Sequence, residues 1–184
     1  MPLLANIVLF QIGWFACVLG AANGLAWAGS VIALAIAGLH LWFAQQARVE
    51  LQLLLIAVAL GFAWDSAITA AGLITFTSGN MLSGLAPHWI AALWLVFATS
   101  LNTSLRWLRG RAWLAILFGA VGGPLAYFAG AKLGALSFPD PTLGLILQAI
   151  GWAALMPILL KLAARFDGCA VREKSEMTSE RLYV

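Results

Sequence analysis

Short connections divide the chain into six apolar runs, and those connections and the segment after the last run carry most of its charge. The runs cover about 4–22, 25–44, 51–72, 86–106, 112–134 and 143–164. At ~1.5 Å per residue, each is long enough as a helix to cross a hydrocarbon layer ~30 Å thick. Helix is the expected form, because strand alternation is absent and a backbone in lipid must satisfy its hydrogen bonds internally. Of the 184 residues, 63% are hydrophobic and 9% charged, where soluble domains carry roughly a quarter charged. That balance excludes a soluble globule, a disulfide scaffold, a nucleic-acid binder and a disordered chain. The expectation is an all-α polytopic membrane protein. A six-transmembrane-helix bundle spans 1–166, and a cytoplasmic polar tail without fixed structure follows over 167–184.

The connections set the orientation. Arg48, Arg106, Arg109, Arg111, Lys161, Arg165, Arg172, Lys174 and Arg181 fall on one side of the alternating spans, and Lys132 alone falls on the other. Basic residues gather on the cytoplasmic side, so both termini are expected there. The first run has no basic residue ahead of it and reads as a retained span, not a removable signal. Only 73–85 is long enough to fold over something, and Pro139-Asp140-Pro141 reads as a stiff turn. Trp27, Trp42, Trp89, Trp107 and Trp113 fall near span ends, where an indole prefers the headgroup level. Cys17 and Cys169 lie in unlike surroundings and read as unrelated free thiols.

Ionisable and amide groups inside the spans are the pointers to function. Asp65 lies deep in the third run, sharing a face with Gly61, Thr69 and Gly72. His88, Ala92, Leu95, Thr99, Asn102 and Arg106 form a stripe down the fourth. The fifth repeats small residues at Gly122, Ala126, Gly130 and Gly134, and again at Gly119 and Gly123, the spacing of close helix packing. Tyr127 lies just past the Gly122-Gly123-Pro124 break, and Lys132 one turn further out. These positions suggest a polar cavity around Asp65, open toward the periplasm and flanked by Trp14, Trp64, Trp89 and Trp94. Asp65, His88 and Tyr127 are the catalytic candidates if the protein is an enzyme. Gln11, Trp14, Trp64, Asn102 and Lys132 are the candidates for holding a ligand. Each has a plainer reading: Asp65 paired with Lys132 or accepting from Trp and Tyr, Gln11 and Asn102 bonding between helices, Lys132 snorkelling. The sequence offers no phosphate loop, no nucleophile elbow and no metal-ligand spacing, so neither a cofactor nor a metal is expected.

Several runs carry a resemblance: Asn6 with Gln11-x-Gly13-Trp14-Phe15, Trp64-Asp65-Ser66, Leu85-Ala86-Pro87-x-Trp89-Ile90 continuing to Asn102, and Gly122-Gly123-Pro124-x-x-Tyr127-x-x-Gly130. Together they are similar to a small bacterial inner-membrane family classified only as a domain of unknown function. The resemblance covers about 5–165 and implies a multi-pass protein of the bacterial inner membrane. It supplies no established activity and no residue roles; only the lipid-modifying enzymes encoded beside such genes suggest a role in handling membrane acyl lipids. Three functions follow as expectations. The first is binding or processing of a membrane lipid or apolar small molecule. The second is proton-coupled transport through Asp65. The third is a structural or assembly role. The expected partners are membrane lipids and a second copy or another membrane protein, with no nucleic acid.

Overall fold

The computed structural model describes residues 1–170. Helices form at all six apolar runs: α1 (Leu3–Ala22), α2 (Ala26–Phe43), α3 (Ala47–Ala70), α4 (His88–Leu101), α5 (Ala112–Lys132) and α6 (Pro141–Arg165). All but α4 are long and apolar enough to cross a membrane. Their outward faces expose Leu4, Ile12, Leu55, Leu125 and Ile150, a surface that water would drive to aggregate. This is a membrane protein built as a helical bundle.

The fourth run departs from the expected 86–106. Its helix has 14 residues, about 21 Å of rise, and none of them is exposed. It packs against α1, α2 and α3, so its neighbours shield most of it and it need not span the membrane as helix alone. At its C-terminal end the Thr103 hydroxyl bonds back to the Thr99 carbonyl at 2.6 Å, and Asn102 turns its amide to other elements. Such local bonds compete with a continuing helix. A turn and a short 3-10 segment at Arg106–Leu108 follow. Irregular backbone at this depth is tolerated because protein surrounds it.

The long connection before α4 closes one end of the bundle. Thr75–Phe76 (β1) pairs antiparallel with Leu136–Ser137 (β2) from the α5–α6 turn. The Ser78 hydroxyl donates to the Ala21 carbonyl at 2.7 Å, and Trp89 Nε1 donates to the Ser78 carbonyl at 3.1 Å. Trp89 is therefore only 1% exposed, beneath this cap, and not at the lipid headgroups. Trp27, Trp42, Trp107 and Trp113 are exposed near helix ends as expected. The opposite end gathers the α2–α3 and α4–α5 turns, with Arg48, Arg106, Arg109 and Arg111, and the end of α6, with Lys161 and Arg165.

Glycines set how closely the helices meet. A Cβ on Gly61 would overlap the Trp94 ring, one on Gly123 the Trp152 ring, and one on Gly151 the Trp64 ring. Each glycine is a slot for an indole from a neighbouring helix. On α5 the two small-residue rows separate. Gly119 and Gly123 face Trp152 of α6, whereas Gly122 meets nothing nearer than Phe118 at 3.9 Å.

Candidate functional site

Three indoles and a carboxylate meet in the middle of the bundle. Asp65 is 0% exposed. Its Oδ1 accepts from the Tyr127 hydroxyl at 2.5 Å and from Gln148 Nε2 at 3.4 Å, and its Oδ2 accepts from Trp94 Nε1 at 2.7 Å. Gln148 in turn accepts from Trp64 Nε1 at 3.1 Å. The node thus joins α3, α4, α5 and α6. Among the described residues no cation pairs with Asp65. Neutral donors alone satisfy the carboxyl group, as a buried polar group requires.

Beside this node lies a cavity of about 430 Å³. Phe10, Trp14 and Phe15 of α1 form one wall, and Gly122, Ala126 and Tyr127 of α5 form the other. Trp94 and Phe97 of α4 and Trp152 of α6 form its floor. Trp94 and Trp152 stack with centroids 4.6 Å apart and planes at 13°, and Phe97 sets its edge against both. α1 packs on α2 and α4, while α5 packs on α6. The cavity occupies the seam left between those two groups, at the middle of α1 and α5. Gln11, on the exposed side of α1, is the one lining residue with an amide, and Trp14, Trp94, Tyr127 and Trp152 are lining aromatics with polar atoms. Trp152 Nε1 is buried and, among the described residues, has no hydrogen-bond partner. Such a donor is expensive to leave unmet, at ~1–3 kcal/mol.

A family model described as a protein of unknown function, DUF2878, matches residues 3–158. The chain belongs to the DUF2878 family. No curated protein and no solved structure matches it significantly.

In this DUF2878 protein the expected site residues fall into separate places. Asp65, Tyr127 and Trp64 meet in the node, and Gln11, Trp14 and Tyr127 line the cavity. Asp65 itself lies behind Trp94 and Tyr127 and does not line it. The cavity is apolar and lies at the lateral seam between α1 and α5, where a polar one open toward the periplasm, with a lateral opening between tryptophans, was expected. His88 sits at the capped end, its Nδ1 2.9 Å from the Ser30 hydroxyl of α2, and no bond joins it to Asp65. Lys132 turns away from the carboxylate and lies over the Phe128 ring, 5.3 Å from its centroid. Sequence reading passed over Gln148 and Trp152 as site residues. Their i, i+4 spacing around Gly151 puts all three near one face of α6, and that was the available signal.

Asn102 belongs to a second polar cluster at the basic end, built around a residue the sequence reading missed. Glu50 immediately precedes the third apolar run, 51–72, and so reads from the sequence as part of the connection. Instead α3 starts at Ala47 and buries Glu50 completely in its first turn. Glu50 Oε2 accepts from Asn102 Nδ2 at 2.7 Å and from the Gly168 amide at 3.0 Å, and Oε1 lies 2.8 Å from His40 Nε2. Arg109 bonds Asn102 Oδ1. Arg106 and Arg109 both hold the Asp167 carboxylate, at 2.8 and 2.7 Å. Burial alone raises the Asp167 carboxyl, but the hydrogen bonds from Arg109 and Arg106 outweigh it and hold it below the usual range. Burial, reinforced by Glu50, pushes the Cys169 thiol up to about 12. The tail was expected to be free from 167, yet Asp167, Gly168 and Cys169 are tied into the bundle. The rest of that expectation, over 171–184, lies outside the described residues.

Proposed function

We propose that this protein binds a membrane lipid, or an apolar molecule dissolved in the membrane, with its hydrocarbon part in the seam between α1 and α5. The observation carrying this reading is the mid-span cavity with aromatic walls at the seam between α1 and α5. A hole at that depth, opening sideways, meets acyl chains and not water. Concave, mostly apolar pockets with a few fixed polar groups are how proteins hold such molecules. The Gln11 amide would donate to an ester or acid carbonyl. Asp65 would act through the wall, since its bonds fix Tyr127 and Trp94 in place. The nine-to-one division of basic residues supports a bacterial inner-membrane protein with both termini cytoplasmic.

The test is lipid mass spectrometry on protein purified in mild detergent, comparing wild type with Ala126→Trp. Ala126 lines the cavity, so the indole fills it. A lipid class enriched in wild type and lost in the variant is the expected result. Equal retention by both, or no enrichment in either, would overturn the reading.

A second reading is proton-coupled transport, favoured by one observation: Asp65 is fully buried without a cation partner. Intramembrane carboxyls of that kind carry protons in pumps and transporters. It requires that Asp65→Asn abolish proton-dependent uptake by a folded protein. Uptake retained in that variant removes the reading.

A further inference from the structure

Three potential ligand groups converge at the basic end of the bundle. His40 ends α2 and Glu50 begins α3 across a short turn. Cys169 is brought in from beyond α6, where the Gln46 amide donates to the Gly168 carbonyl at 2.9 Å and the Gly168 amide to Glu50 Oε2 at 3.0 Å. His40 Nε2, a Glu50 oxygen and Cys169 Sγ all lie within 4.8 Å of one another. Nε2 is 2.8 Å from Oε1 and 3.8 Å from Sγ.

The direction of approach decides what such a cluster can do. In a cysteine–histidine–acid relay the thiol and the acid take opposite nitrogens of the ring, because the proton passes through it. Here both approach the same nitrogen, Nε2, while Nδ1 is buried without a partner among the described residues. Convergence on one point is the geometry of coordination. Around a tetrahedral ion with bonds of ~2.0–2.1 Å to N or O and ~2.3 Å to S, neighbouring ligand atoms stand roughly 3.3–3.5 Å apart. The observed separations lie on either side of that value, within about half an ångström. Asn102 and Gly168 occupy Glu50 Oε2 and leave Oε1 facing inward, the outer-shell support that ligating carboxylates usually have. His40 and Glu50 are buried, whereas Cys169 is half-buried and leaves a path from the surface.

We propose that His40, Glu50 and Cys169 bind one divalent transition-metal ion of the zinc type, joining α2, α3 and the chain beyond α6. The mixed nitrogen, oxygen and sulfur set suits zinc and excludes magnesium and calcium, which take oxygen ligands. On binding, the proton between His40 Nε2 and Glu50 Oε1 moves to His40 Nδ1, the Cys169 S–H bond breaks with its proton leaving to water, and the freed nitrogen, oxygen and sulfur lone pairs form the metal bonds. Thiolate and carboxylate together neutralise the ion. Three protein ligands leave a fourth position for water. The site is independent of the lipid reading.

The experiment uses full-length protein without a histidine tag, in mild detergent, stripped with a chelator under reducing conditions and titrated with cobalt(II). One equivalent should bind, with a thiolate-to-cobalt charge-transfer band and the visible bands of a tetrahedral ion, both removed by zinc. Cys169→Ala should lose the charge-transfer band and bind at least ~10–100-fold more weakly, whereas Cys17→Ala should behave as wild type. Size-exclusion and far-ultraviolet circular dichroism check that the variants fold. If Cys169→Ala does not fold, the thiolate band in wild type and in Cys17→Ala still decides. No saturable cobalt binding by folded wild type, or a thiolate band that survives Cys169→Ala, overturns the site.

Discussion

Asp65 is held by three donors from three helices, so its neighbours depend on it as much as it depends on them. Replacing Asp65 with Leu removes the acceptor that Trp94 Nε1 and the Tyr127 hydroxyl have among the described residues. Each unmet buried donor costs ~1–3 kcal/mol, so Asp65→Leu should unfold well below wild type in a detergent thermal melt. Asp65→Asn keeps one oxygen for Trp94, and its amide can donate to the Tyr127 oxygen, so its loss should be clearly smaller. Equal melting of the two variants would mean that the hydrogen bonds contribute little and packing alone holds the node. Asp65 was legible in the sequence because a carboxylate deep in an apolar run has few innocent explanations. Its partners were less so, because Trp94, Tyr127 and Gln148 come from 29, 62 and 83 positions away. Glu50 was lost for the opposite reason. A charged residue at the edge of an apolar run looks like solvent-facing connection, and only the fold turns it toward His40 and Asn102.

Among the elements, α5 shows how one small-residue helix serves two neighbours. Its Gly119 and Gly123 let α6 approach, while Gly122 and Ala126 leave space instead of filling it. Gly123→Ala should therefore destabilise by ~1–3 kcal/mol, the usual cost of overpacking, because the Trp152 ring occupies the place of the new methyl. Gly122→Ala meets open space and should melt at or slightly above wild type, since alanine is the better helix former by up to ~1 kcal/mol. The same melts check both, and a reversed order would mean that the faces of α5 are assigned wrongly. The sequence showed both rows but could not say which faced a helix and which a gap, because their spacing is identical. Nor could it show that α4 is short. Hydropathy measures how apolar a segment is, and a helix shielded by its neighbours is as apolar as one in lipid. The stripe read along α4 proved to be three attachment points, with His88 to α2, Thr99 to α1 and Asn102 to α3.

For the molecule as a whole, the α5–α6 hairpin is joined to α1–α4 at three depths. The β1–β2 ladder holds it at the capped end, the Asp65 node at the centre, and the chain after α6 at the basic end. Between these ties the seam stays open, which is why the cavity lies at mid-span and not at a membrane surface. The arginine pairs at the basic-end tie are only partly buried, with Arg106 still 41% accessible. Ion pairs near the surface contribute ~0–1 kcal/mol each, so two pairs sharing one carboxylate should add at most about 2 kcal/mol locally and little globally. Asp167→Asn, measured in chelator-stripped protein, should then leave the melting temperature nearly unchanged. It should speed hydrogen exchange at Gly168 and Cys169 by about tenfold, the factor equivalent to ~1.4 kcal/mol. Exchange in α2 and α3 should not change, because their contacts do not pass through Asp167. If exchange at Gly168 stays slow, the backbone bonds to Gln46 and Glu50 hold the segment without the arginines. The basic residues there would then act only in orienting the protein across the membrane.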